Sequence, residues 1–288
     1  MITTEKLYGG KVEVVFVSGE NNEKHDYRIE GKRKQGVTTF IGIVDKSNML
    51  IPWAVGVALD YVRDNMDVIK LDPDEVYSRA QEAHNADKEE AEALGTAIMA
   101  WIEAFIKGEN PEMPSHENVL QGVLSFLEWK DQHKVKFIST ERLVYSKKYD
   151  YIGKMDLEIE IDGKLYVGDI KSGNGLYPEV KMQLAGYLMA DVEESKRKYE
   201  GRWAIRIAKE TELEYMDKMQ KKNERKIARG MKPVEIKPYQ VFEALYLDNE
   251  KTTLKKDFKA FLNCVELYRW KQEAEKEFRA LKDANRKD

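Results

Sequence analysis

Residues 151–171 read YIGKMDLEIEIDGKLYVGDIK, and their alternation decides how the middle of this chain folds. Met155, Leu157, Ile159 and Ile161 alternate with Lys154, Asp156, Glu158 and Glu160. A period of two over that length predicts a strand with one buried face. Asp162-Gly163 follows, a pair favoured in two-residue type I′ turns because both positions need positive φ. Residues 164–171 then run back as the second strand of a hairpin. With Ile161 opposite Lys164, stepping five residues outward along each strand brings Asp156 opposite Asp169. Opposed residues share a face, with Cβ atoms about 4.5–5.5 Å apart. Two ionised carboxylates that close repel each other unless a cation lies between them. Mg²⁺ is held by one or two carboxylates together with waters and phosphate oxygens. Lys171 sits two residues past Asp169 and so shares its face. An ammonium there stabilises charge developing on a phosphate or orients an attacking water. A one-residue slip would turn Asp156 to the other face, so the turn chemistry carries part of the argument.

Ser172-Gly173-Asn174-Gly175 predicts a loop. Pro178 stands where a first helical position is expected. Gln183 and Tyr187, spaced i and i+4 on that helix, point the same way. An amide and a phenol there can both hydrogen-bond a phosphate or the lysine.

These residues resemble the PD-(D/E)xK nuclease superfamily, in particular its RecB-like exonuclease branch. The likeness rests on Gly153 to Asp156 (Gly-x-x-Asp), on residues 168–173 (GDIKSG) and on Gln183 to Tyr187 (Gln-x-x-x-Tyr). It implies a restriction-endonuclease-like α/β core, with a mixed central sheet flanked by helices and an N-terminal helical lobe. It implies that Asp156 and Asp169 bind the metal, that the Ile170 carbonyl joins its shell, and that Lys171 assists catalysis. Gln183 and Tyr187 then support the site and the DNA. A looser likeness to phage-borne members runs through residues 36–39 (GVTT) and 50–53 (LIPW). Residues 95–98 (GTAI) resemble a helix that carries a histidine metal ligand in many relatives, but here that position is Met99. An all-oxygen donor set favours Mg²⁺ over Mn²⁺, since imidazole suits softer metals. Met99 also fits a core stripe with Leu94, Ile98, Ile102 and Phe105. Glu141, ahead of a third strand, matches an acid found near the site in relatives, and a solvated strand-end glutamate is an equal reading.

The wider chain sets limits. Its 288 residues are 42% hydrophobic and 35% charged, a composition that suits a globular protein. One large domain is expected: a helical lobe over 47–133, a catalytic sheet core over 135–250 and a C-terminal helix over 251–288. Neither an 18-residue apolar run nor a secretory signal pattern appears, so a cytoplasmic protein with no membrane partner is expected. Cys264 is the only cysteine, which excludes an intrachain disulfide and a four-cysteine iron–sulfur cluster. No Walker A motif appears. Net charge is −4, so any DNA contact must come from local patches. Two candidates stand out. One is Lys32, Arg33 and Lys34. The other, in an insertion over 212–235, is Lys218, Lys221, Lys222, Arg225, Lys226, Arg229 and Lys232; a solvated helical hairpin is its plainer reading.

Further elements are expected as strands at 11–18 and 26–31, then helices over 47–63, 72–84, 86–107 and 115–133. Strands at 135–145, 202–208 and 239–247 follow, with helices over 178–190 and 251–284. The implied activity is metal-dependent hydrolysis of DNA, with exonuclease action on single-stranded or free ends, in phage or mobile-element recombination, repair or replication. A phage recombination protein is an expected partner. The alternatives are an endonuclease of the same fold, or a catalytically weakened protein that binds DNA or a partner.

Overall fold

The computed structural model describes residues 2–17, 25–228, 230–249 and 254–285. The chain opens with a meander of β1 (Ile2–Leu7), β2 (Val12–Val17), β3 (Asp26–Ile29) and β4 (Lys32–Lys34), each antiparallel to the next. Helices α1 (Val37–Ile41), α2 (Ser47–Asp64), α3 (Met66–Ile69), α4 (Pro73–Ile106) and α5 (Glu117–Gln132) follow. Next come β5 (Lys136–Ser146), β6 (Tyr151–Ile161), β7 (Lys164–Ser172), α6 (Glu179–Ser195) and β8 (Tyr199–Ile207). The chain continues through α7 (Glu212–Ala228), β9 (Phe242–Asp248) and α8 (Leu254–Ala284).

The central sheet runs β5-β6-β7-β8-β9 and is mixed: β7 and β8 are parallel, and the other pairs are antiparallel. A parallel pair needs a crossover, and α6 supplies it. The expected hairpin register holds. Asp162 and Gly163 have φ of 50° and 73°, and the ladder runs from Ile161↔Lys164 to Leu157↔Gly168.

Helices cover both faces of this sheet, as a parallel pair favours. On one face Val144, Tyr151, Met155 and Val167 pack with Leu184 and Leu188 of α6 and Phe261 of α8. On the other, Leu157, Ile159, Ile170 and Ile205 pack with Ile98 and Ile102 of α4 and Val123 and Phe126 of α5. The first meander packs Val14, Phe16 and Ile29 against Leu143, Tyr145 and Ile152.

Several expectations are corrected. The segments 72–84 and 86–107 form one 34-residue helix, α4. Asp72 caps it, its carboxylate accepting from Glu75 N–H at 3.0 Å, and no glycine or proline interrupts it before Gly95. The N-terminal sheet has four strands where the sequence suggests two. Its outer strands β1 and β4 are largely exposed, so they lack an apolar signal. Strand β6 does not keep one buried face. Met155 packs on the α6 side and Leu157 on the opposite side, so the strand reverses its facing at Asp156. The β5–β6 register steps over that point, from Thr140↔Leu157 to Arg142↔Met155, and Glu141 has φ of 53°.

Glu158 also departs from the expected polar face: it is 1% exposed. It accepts from Tyr199 Oη at 2.8 Å and Ser139 Oγ at 3.0 Å, and pairs with Arg197 and, at 3.4 Å, with Arg142. Arg142 also reaches buried Asp191 at 2.6 Å. Buried charge is tolerated there because both signs are present and paired. Residue 18, Arg229 and the 251–253 start expected for the last helix lie outside the described residues.

Candidate metal-binding site

The β6–β7 ladder stops one pair short of the two acids. In an antiparallel ladder, hydrogen-bonded pairs alternate with non-bonded ones. After Leu157↔Gly168 the next bonded pair would be Met155 with Ile170. Instead β6 turns at Asp156, and the Asp156 Oδ2 accepts the Ile170 N–H at 2.8 Å. A side chain thus replaces the backbone acceptor. The Ile170 carbonyl leaves β7 on the same edge as its N–H, so it faces the gap where the β6 donor is missing.

Asp169 is fully buried, and Lys171 approaches it at 3.1 Å from Oδ1 and 2.9 Å from Oδ2. The Oδ2 contact lies outside hydrogen-bond geometry, so this buried oxygen accepts no hydrogen bond. Its charge is met by the Lys171 ammonium, 2.9 Å away without hydrogen-bond alignment. Burial raises the Asp156 pKa well above the usual carboxylate range, and the charge of Asp169 raises it further. For Lys171 burial alone would lower the pKa, but Asp169 and Asp156 outweigh it and hold the ammonium charged. A cation suits this place. It would give the Asp169 Oδ2 a second cationic partner and relieve the carboxylate repulsion. Among the described residues, no group of three or more His, Cys, Asp or Glu is placed to hold a metal. The fit is therefore to two carboxylates and the Ile170 carbonyl, with water and substrate oxygens completing the shell, as Mg²⁺ accepts.

Helix α6 brings its pair to the same face. Gln183 Nε2 donates to Tyr187 Oη at 2.9 Å, and both side chains are buried. Burial, then Asp156 and Asp169, push the Tyr187 phenol well above its ordinary pKa, so it stays a neutral donor. The ring packs against β6 at Gly153, where a Cβ would stand 2.4 Å from Tyr187 Cε1. A Cβ on Gly95 would stand 2.3 Å from Ser172 Oγ, so that glycine seats α4 against the end of β7, next to Lys171.

Met99, one turn further along α4, packs half-buried against the cluster of Ile98, Trp101 and Ile102. This is the core stripe. Met99→His is accordingly expected to cost about 1–3 kcal/mol, the usual cost of a poorly partnered polar group in a core. Thermal melts would show it. A raised Mn²⁺ preference at unchanged stability would place residue 99 at the metal instead.

Glu141 is close by: it pairs with Lys154, and its charge adds to the rise of the Asp156 pKa. Sequence reasoning missed Tyr27. Burial, then the charges of Glu141 and Asp156, push its phenol up to about 12, so its hydroxyl lies within the field of both acids. No local signal could have shown this, since β3 is remote in sequence and arrives only by sheet packing.

The basic patches are partly neutralised. Arg33 pairs with Asp26 at 2.9 Å and Lys34 with Asp150 at 2.7 Å, while Lys32 is exposed. On α7, Lys218 pairs with Glu210 at 3.1 Å, Lys221 pairs with Asp217 at 2.8 Å, and Lys222 is exposed. Arg225 pairs with Asp60, tying α7 to α2.

A pH dependence follows. The folded metal-free protein keeps the Asp156 proton to higher pH than the unfolded chain. That stabilising contribution is complete below the unfolded pKa of about 3.9 and is lost as pH rises towards the folded value. Metal binding requires ionised ligands. Mg²⁺ is therefore expected to raise the melting temperature more at pH 8 than at pH 5. Equal shifts at both would argue against Asp156 as a ligand.

No protein-family profile matches this chain, and no curated protein matches it at a significant level.

Proposed function

We propose that this chain is a Mg²⁺-dependent deoxyribonuclease of the PD-(D/E)xK type, acting on DNA ends. The observation that carries the reading is the pairing of half-buried Asp156 with fully buried Asp169, whose Oδ2 accepts no hydrogen bond, and Lys171 on the same face. Asp156, Asp169 and the Ile170 carbonyl would hold the cation. Bound Mg²⁺ supplies Lewis acidity at a phosphate and lowers the pKa of a water. Lys171, fixed by Asp169, places a positive charge where the pentacovalent phosphate gains negative charge. Gln183 and Tyr187 offer neutral donors to the strand, and Tyr27 of the first sheet adds a second hydroxyl.

End-dependence draws support from the helical lobe. Helix α2 begins beside α6, with Lys46 3.8 Å from Glu179, and ends beside α7 at the Asp60–Arg225 pair. It therefore bridges two elements that flank the strand ends. Of the tryptophans on the lobe helices, Trp101 and Trp129 are buried in the core, whereas Trp53 on α2 is 42% exposed and offers a face on which a base can stack. A base stacked there would contribute about 1–3 kcal/mol.

Digestion of linear and closed-circular single-stranded DNA of the same sequence, with Mg²⁺ or Mn²⁺, tests the reading. Linear DNA is expected to be degraded and the circle spared, with binding that weakens steeply as salt rises. Circles cut at the linear rate would make the enzyme an endonuclease. DNA binding without hydrolysis under either metal would overturn the catalytic assignment.

A further inference from the structure

Helix α8 is two helices in character. Its first half buries Phe258, Phe261, Cys264 and Val265 against the protein body. The last contact described with the body is Arg269, which donates to the carbonyls of Tyr149 at 2.8 Å and Asp150 at 2.9 Å. Residues 270–284 extend onward for about 22 Å at 1.5 Å per residue. That outer half is not polar all round. Trp270 is 64% exposed, Phe278 62% and Leu281 62%, and Leu267, just before the last body contact, is 49% exposed. At 100° per residue all four fall within about 40° of Ala274, giving one narrow stripe with a small residue at its centre. A groove of about 440 Å³ lies over Ala274 between the two aromatic rings. Exposed apolar area of this kind marks an interaction surface.

The charges beside the stripe say what covers it. Glu266, Glu273 and Glu277 line one flank. Lys271 and Lys282 line the other, where Glu275 is turned within the helix towards Arg279 at 4.0 Å. In an antiparallel pair of identical helices, like flanks meet, and the three glutamates would face one another. In a parallel pair about a two-fold along the helix axis, each acidic flank meets the other copy's basic flank. Glu266 then reaches the partner's Lys271 and Glu277 the partner's Lys282. Both have the five-residue offset of flanking ion pairs in parallel coiled coils, and they recur after eleven residues, as the stripe does from Leu267 to Phe278.

We propose that the outer half of α8 is a homodimerisation helix, which pairs in parallel with the same segment of a second copy of this chain. Leu267, Trp270, Ala274, Phe278 and Leu281 each meet their own counterpart across the two-fold, an isologous contact. The inference stands apart from the nuclease reading.

Sedimentation velocity over a wide concentration range tests it on the full chain. Wild type is expected to sediment as a dimer. Trp270→Glu and Phe278→Glu are expected to give monomers that keep the wild-type circular dichroism. Leu281→Cys is expected to form a disulfide-linked dimer under mild oxidation, since only a parallel pair juxtaposes the two copies of residue 281. Buried Cys264 leaves wild type as the uncrosslinked control. A monomeric wild type at every concentration overturns the proposal. So does a dimer indifferent to both glutamate substitutions, or one in which Leu281→Cys fails to crosslink.

Discussion

Asp169→Asn is expected to fold normally and to hydrolyse DNA at least ~10³-fold more slowly than wild type, a loss of about 4 kcal/mol of transition-state stabilisation. The residue is fully buried, and the Asp169 Oδ2 has no hydrogen-bond donor. Among the described residues its side chain accepts one hydrogen bond, from Lys171 at 3.1 Å. Asparagine keeps its shape but removes one of two negative charges from the cation site and unpairs Lys171. Without metal, the substitution relieves the charge that raises the Asp156 pKa, so melting in a chelator is expected at or above the wild-type temperature. Lys171→Ala is expected to match the loss of rate, because its ammonium faces the same place. Purified variants that cleave at the wild-type rate, with contaminating nuclease excluded, would sink the assignment.

Gly153→Ala is expected to destabilise the protein by about 1–3 kcal/mol, the range for overpacking a tight core. The new methyl would stand 2.4 Å and 2.7 Å from two Tyr187 ring carbons and 3.1 Å from Val37 Cγ2. Tyr187 is 3% exposed and cannot swing out to solvent. The ring must shift, and Gln183 with it, so activity should fall alongside stability. A double-mutant cycle isolates the cause. In a Tyr187→Ala background most of the penalty is expected to vanish. A penalty that persists there would place the strain elsewhere, and an unchanged melting temperature for the single variant would refute the close approach.

The two experiments probe different levels of information. The spacing of Asp156, Asp169 and Lys171 was legible because it is local. A two-residue Asp162-Gly163 turn sets the register, and the structure keeps that register to Leu157↔Gly168. Gln183 and Tyr187 were legible for the same reason, since i and i+4 on a helix must lie together. The start of α4 follows from its Asp72-Pro73 cap, and helix α2 and most of α8 follow from periodicity; Ser47 is the first residue of α2 and makes no side-chain cap.

What lies beyond the hairpin needed the folded chain. Alternation could not show that β6 reverses its facing at Asp156, because that turn depends on β5 and Glu141. Nor could it separate buried Glu158 from a solvated glutamate, since the ion pairs that permit burial come from Arg142 and Arg197. Trp101 and Trp129 read as tryptophans on helices; only packing sent them to the core and left Trp53 partly exposed. Sequence by itself thus determined the two acids, the lysine and the helical pair, through turn register and helical period. Tertiary structure decided which oxygen is left without a donor, which tyrosine arrives from the first sheet and why residue 153 is glycine. Those depend on contacts between segments far apart in the chain, and short-range periodicity carries no record of such contacts.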